Sequence, residues 1–421
     1  MKVRIWLLVA GAATQCLACN GGKSVSVWSA KASAGHCLQR ADTANGLFRR
    51  VVNYHDAQPI ALAIADVDAD GDGDVLSASA NMTTIGRVSV RKNRGHAEFD
   101  AAQDYGVGAG VASLVVASLT RNGKPDIVSV SPTMGTVSVL HNRGDGTFQL
   151  AQDLAAGEAP RQLAASDLNG DGAPELVVSG AGFVSVAVNH GDGTFMPFSA
   201  LAHLPLEAGE DAPIALGDFT ADGAPDIAWA YQSYLIVFPN DGRGEFALSR
   251  AISSPLVSRG RLLELKSVHL NHDAQLDLVL ESSRRDGLLA TPLFNRGSGQ
   301  FGQLGAALGD PRPDDAATNV SGPNTFALAD IDGDALPDLV STNASTSHDS
   351  LSRLSVALGT RGSFRIVAAL LRGQNPRGVA AGDLDGDQRA DLLVALPGGL
   401  TTILTTAGDC AAPMANPSAQ R

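Results

Sequence analysis

Nine residues, Asp66-Val-Asp68-Ala-Asp70-Gly71-Asp72-Gly-Asp74, recur in altered form to the far end of the chain and constrain its fold more than any other feature. The copies begin at Asp66, Ser118, Asp167, Asp218, His269, Asp330 and Asp383, with spacings of 52, 49, 51, 51, 61 and 53 residues. Such a period is too long for leucine-rich or ankyrin units and suits one four-stranded propeller blade per copy. The fold this predicts is all-β: a seven-bladed β-propeller of four-stranded antiparallel blades. Within one copy, carboxylates at positions one, three, five and nine and a glycine at position six describe a tight loop that offers oxygens to a hard cation. Calcium takes six to eight oxygens at about 2.3–2.6 Å, which alternate side chains and one backbone carbonyl can supply. A single such stretch is often only an acidic turn; its recurrence in register argues otherwise.

Each module follows one order. An apolar run such as Ile60-Ala-Leu-Ala-Ile64 enters the acidic loop, and a second run such as Leu176-Val-Val178 leaves it. An alternating strand, Val137-Ser-Val-Leu140 in the second module, then leads into a glycine-rich turn ending in phenylalanine. These turns read Asn142-Arg-Gly-Asp-Gly-Thr-Phe148, Asn189-His-Gly-Asp-Gly-Thr-Phe195, Asn240-Asp-Gly-Arg-Gly-Glu-Phe246 and Asn295-Arg-Gly-Ser-Gly-Gln-Phe301. Asn and Gly at these offsets tolerate positive φ and close a hairpin. Hydrophobic residues at 44%, charged residues at 18% and 46 glycines fit many short buried strands joined by tight turns. The seventh module stops after Thr401–Thr405, and Asn45–Val52 supplies the missing turn and outer strand, so the ring should close through the N-terminal segment.

Acidic loop and phenylalanine-ended turn together resemble the FG-GAP/VCBS family, whose seven-bladed propeller also heads the integrin α subunits. The resemblance covers residues 47–408. It implies calcium in the loops between the first two strands of a blade. Carried over by position, the ligands are Asp66, Asp68, Asp70 and Asp74, with Asp72 contributing its carbonyl. The third module gives Asp167, Asn169, Asp171 and Glu175, and the fourth Asp218, Thr220, Asp222 and Asp226. The sixth gives Asp330, Asp332, Asp334 and Asp338, and the seventh Asp383, Asp385, Asp387 and Asp391. Position six in these last two is Ala335 and Gln388 in place of glycine. The second module keeps one carboxylate, Asp126, and the fifth begins with His269; the second is expected to be empty and the fifth weak or empty.

The N-terminus carries Lys2 and Arg4, an apolar run to Ala13 and then Cys16-Leu17-Ala18-Cys19, which reads as an export signal too short to span a bilayer. Leu17-Ala18-Cys19 resembles a bacterial lipobox, which would place a lipid on Cys19 and make this the chain's membrane contact. The alternative is ordinary cleavage and release. The domain plan is a signal peptide over 1–18, a tether over 19–43, the propeller over 44–410 and a tail over 411–421. The expected location is the bacterial outer membrane as a lipoprotein, the periplasm, or the medium. In that oxidising compartment Cys37 and Cys410, brought together by ring closure, are expected to form a disulfide.

A net charge of −13 argues against nucleic acid, which needs a basic surface. No HExxH or GxSxG motif occurs, and the loops absorb most acidic pairs. The function expected is an adhesion or interaction module on the envelope, recognising a protein or glycan. A propeller enzyme acting on polysaccharide, as lyase or hydrolase, and a structural scaffold are the alternatives. For a ligand face, modules four to six carry the aromatic residues Trp229, Tyr231 and Tyr234 and, in lengthened connections, Arg284, Arg285 and His348. Against that reading stands Trp229 as core filler.

Overall fold

The computed structural model describes residues 48–405 apart from 56–57, 80–84, 181, 205–211, 257–260, 272, 285–286, 303–307, 310–325, 344–351 and 361–362. The signal peptide, Cys19, the tether, Cys37, Cys410, the tail, Arg285 and His348 lie outside these residues, as does the side chain of Arg284.

Seven antiparallel sheets follow one another in chain order, each beginning with a first strand next to the ring axis. Blade one comprises Pro59–Ala65, Asp74–Ser79, Gly86–Arg91 and Gln103–Val107. Blade two comprises Ser113–Ala117, Asp126–Ser131, Thr136–Asn142 and Phe148–Ala155. Blade three is built of Gln162–Ser166, Glu175–Ser179, Phe183–Ala187 and Ser199–His203, and blade four of Ile214–Gly217, Asp226–Tyr231, Tyr234–Phe238 and Ile252–Pro255. In blade five, Arg261–Val268, Asp277–Arg284 and Gly287–Asn295 are flanked by two short outer pieces, Phe301–Gly302 and Leu308–Gly309. Blade six holds Phe326–Ala329, Asp338–Asn343, Arg353–Thr360 and Ser363–Leu370.

Blade seven is composite. Gly378–Gly382, Asp391–Leu396 and Gly399–Thr405 are completed by Phe48–His55, which pairs antiparallel with the third strand from Phe48 opposite Thr405 to His55 opposite Gly399. The outer strand that the last module lacks is thus taken from the start of the fold. The borrowed strand covers the edge of Gly399–Thr405 that would otherwise stand open.

Second strands are buried along their whole length in blades one to four, whereas the fourth strand of blade three is mostly exposed. Each inner strand is covered on both faces by the neighbouring blades, so its sequence runs apolar without strict alternation. The apolar clusters accordingly sit between blades: one joins blades one and two through Leu76, Val88 and Leu114, and another joins blades seven and one through Leu62, Leu384 and Leu393. Among the described residues the one helical element is a 3-10 turn, Leu248–Arg250, and no helix is long and apolar enough to cross a membrane.

Candidate metal centres on the loop face

The acidic loops are folded by their own first carboxylate. Asp66 accepts the backbone N–H of Ala69 at 2.8 Å and of Gly71 at 3.0 Å. Asp167, Asp218, Asp330 and Asp383 do the same for the amides that follow them. This winding requires a left-handed φ at position six, met by Gly71 at 98° and also by Ala335 at 66° and Gln388 at 68°. The non-glycine residues thus adopt the same loop conformation, at a local strain cost.

Winding turns the remaining oxygens inward. One oxygen from each of Asp66, Asp68 and Asp70 lies within 4.8 Å of the others, and the same is true of Asp330, Asp332 and Asp338 and of Asp383, Asp385 and Asp391. That separation is about twice a calcium–oxygen bond of ~2.4 Å, so one cation can touch all three. Asp68 Oδ1 is buried and has no hydrogen-bond partner, as expected of an oxygen aimed at a cation. The donor sets in blades three and four include Asn169 and Thr220, neutral oxygen donors at position three. In blades one, six and seven the residues present therefore fit a hard, oxygen-seeking ion.

Position nine has backbone partners of its own. Asp74 is fully buried and accepts the N–H of Val67 at 2.8 Å and of Asn93 at 2.7 Å, which ties the loop to the hairpin of its own blade. Glu175, Asp226, Asp338 and Asp391 repeat the arrangement, accepting from the hairpin side through Asn189, Asn240, Gly359 and Thr405. Desolvation pushes the carboxyls of Asp74, Glu175 and Asp391 up to about 7 and those of Asp226 and Asp338 up to about 6, against the lowering effect of these backbone donors.

The hairpin asparagines carry a role that their turn chemistry concealed. Asn142 Nδ2 donates to Pro125 O in its own blade at 2.9 Å and to Val67 O, in the acidic loop of blade one, at 2.7 Å. Asn93, Asn189, Asn240 and Asn295 make the same pair of bonds, each reaching the preceding blade. Their recurrence at one offset was the available signal.

The two degenerate loops carry basic side chains at or beside their ligand positions. In blade five His269 Nδ1 lies 2.9 Å from Gln275 O, the carbonyl that would face a metal. In blade two Lys124 Nζ donates to Arg143 O at 2.8 Å, and His141 sits 3.6 Å from Asp126, whose carboxylate raises the imidazole above its usual value. Blade one adds a cation that the loop pattern does not show: Lys92 Nζ lies 3.4 Å from Asp68 Oδ2.

The ligand-face residues separate. Trp229 is wholly buried, its ring 5.0 Å from Tyr231 and 6.2 Å from Phe238, and Tyr231 is buried beside it. As ligand-face candidates these two are corrected: both lie on a second strand enclosed between blades, where a ring has no free surface for stacking. Tyr234, at the turn into the third strand, is half exposed.

The sequence pattern of the FG-GAP-like repeat matches residues 119–178, 167–229 and 330–394. The chain carries FG-GAP-like repeats. No curated protein matches it significantly. Among solved structures, an Agrocybe aegerita lectin described by its recognition of non-reducing terminal N-acetylglucosamine aligns at TM-score 0.53 and 19% identity, over 82% of this chain and 87% of that one. A structure of BBS1N in complex with ARL6DN aligns at TM-score 0.55 and 11% identity over 88% and 98%. Virginiamycin B lyase from Staphylococcus aureus aligns at 0.51 and 10% over 84% and 98%. At these identities the likeness is one of fold alone. The FG-GAP-like propeller is an arrangement consistent with an interaction module, and its acidic clusters could hold metal ions.

Proposed function

We propose that this chain is an exported, calcium-binding propeller that acts as an interaction module on the bacterial envelope, recognising a protein or a glycan. The observation that carries the reading is the concentration of the acidic loops on one face. Asp66, Asp167, Asp218, Asp330 and Asp383 each wind their own loop, and in blades one, six and seven the carboxylates of the loop come together. Five cations held there would neutralise much of the net charge of −13 and stiffen the surface formed by loops and hairpins. Backbone-rich loops on a rigid scaffold are where binding residues concentrate. Export, and attachment through Cys19, would place that surface at the cell exterior or in the periplasm.

The test is a panel of envelope glycans and purified envelope proteins, assayed for saturable binding and for product formation with and without calcium. Saturable, calcium-dependent binding without turnover is expected. Release of new reducing or unsaturated sugar ends would replace the module with a polysaccharide-degrading enzyme. Absence of any binding partner on a surface that still takes up calcium would leave a scaffold.

A further inference from the structure

Blade six stands outside the chain of asparagine clamps. Asn93 ties blade one to blade seven, and Asn142, Asn189, Asn240 and Asn295 tie blades two, three, four and five each to its predecessor. At the corresponding place blade six has Gly359 and blade seven has Thr405. Their backbone N–H groups still reach Asp338 at 2.6 Å and Asp391 at 2.8 Å, but neither side chain offers an amide. The clamps therefore join blades seven, one, two, three, four and five into one arc, and blade six fills the gap between its ends.

The seam with blade five is built from charge. Lys266, Glu264 and Glu281 are almost fully buried there. Where blade five has Lys266, three residues before the loop, the other blades have Ala63, Val115, Ala164, Ala215, Ala327 and Ala380. Where it has Glu281, they have Ala78, Val130, Ser179, Ala230, Thr342 and Ala395. Glu264 and Glu281 face each other across the first two strands. Lys266 Nζ lies 3.1 Å from Glu264 Oε1 and 4.4 Å from the ring centre of Phe326 in blade six, and it donates to Phe326 O. Phe326 N donates to Glu264 Oε2 at 3.3 Å, and Ser341 Oγ, also in blade six, donates to Glu281 Oε1 at 2.6 Å.

Long side chains bridge this seam. First strands of neighbouring blades pack closely at every other junction, and among the described residues the approach is looser between blades five and six. Near the loop face an apolar cluster of Val268, Leu270, Phe326 and Leu339 still closes the seam. On its other side, blade six packs on blade seven through an apolar cluster that includes Ile331, Val340, Val356, Val379 and Leu392, and the Arg389 guanidinium of blade seven donates to Asp332 O at 3.1 Å.

We propose that blade six opens as a unit of its own, ahead of the rest of the ring, with Glu264, Lys266 and Glu281 as its latch. A buried ion network holds firmly when complete and fails when one partner leaves, since the others then stay desolvated and uncompensated. An arc tied by repeated buried amide bonds resists opening at each junction, whereas a blade without them is the natural site of sub-global opening. The ring thereby gains a second state in which the charged side chains of this seam meet solvent.

Native-state hydrogen exchange on the full chain, read by mass spectrometry, tests the proposal. Amides of Asp338–Asn343 and Arg353–Thr360 should exchange about tenfold or more faster than those of Glu175–Ser179 and Phe183–Ala187 in blade three, by a route that global unfolding does not explain. Thr405→Asn, which restores an amide opposite Ile331 O, should slow exchange in blade six alone, and Lys266→Met should speed it. Should Lys266→Met not fold, the parent protein and Thr405→Asn still decide the matter. Exchange of blade six together with all other blades in one cooperative step would overturn the proposal, as would a Thr405→Asn protein with unaltered blade-six exchange.

Discussion

At the scale of single residues, the hairpin asparagines carry the greatest structural consequence per side chain. Asn240 is fully buried; its Nδ2 bonds Leu168 O and Pro225 O while its Oδ1 accepts from Gly242 and Gly244. Asn240→Ala strands two buried carbonyls and should cost about 2–4 kcal/mol, read as a lower urea midpoint. Trp229→Ala should cost about 3–5 kcal/mol, because a large side chain leaves a sealed cavity. Tyr234→Ala, at a half-exposed site, should stay within about 0.5 kcal/mol of the parent in the same assay. These contrasts were only partly legible in the sequence. An asparagine before a glycine turn is already explained by local φ preference, and its second partner, a backbone carbonyl 75 residues away in the case of Asn142, has no sequence signature. The burial of Trp229 was hidden for a related reason: in a strand covered on both faces, alternation does not say which residues reach solvent.

At the scale of the loop, the nine-residue spacing marked the carboxylates that come together in blades one, six and seven, and Ala335 and Gln388 adopt the winding that glycine was expected to supply. The double role of position nine was not legible, since Asp74 looks the same in sequence whether it meets a cation or the N–H groups of Val67 and Asn93. It has a measurable consequence in metal-free protein. Burial holds Asp74, Glu175 and Asp391 at about 7 and Asp226 and Asp338 at about 6, above an unfolded carboxyl at about 4. Between these values the folded state binds more protons than the unfolded chain, so stability should fall as pH rises from about 4 to 7 and level off above. Calcium needs the ionised carboxylates, so its affinity should rise across the same window. Urea titrations at pH 5 and pH 7.5, with chelator and then with calcium, check both signs: the chelated protein should be the more stable at pH 5, and calcium should have its larger effect at pH 7.5.

At the scale of the molecule, the number of blades and the closing strand were both readable, because each depends on counting units and finding one short of its last strand. Phe48–His55 completes blade seven opposite Gly399–Thr405. The inequality among the seven seams was not readable from the period, since Lys266 and Glu281 sit in apolar runs whose neighbours across the seam only the closed ring defines. The claim on which the proposed function rests is that the acidic loops take up calcium as part of the fold. At free calcium tenfold above the dissociation constant, each site adds RT ln(1+10), about 1.4 kcal/mol, and five add roughly 7 kcal/mol, as much as the whole stability of many domains. Thermal melting at pH 7.5 with calcium and with excess chelator measures this directly. A midpoint higher by many degrees in calcium is the predicted result, and the same midpoint in both would contradict it.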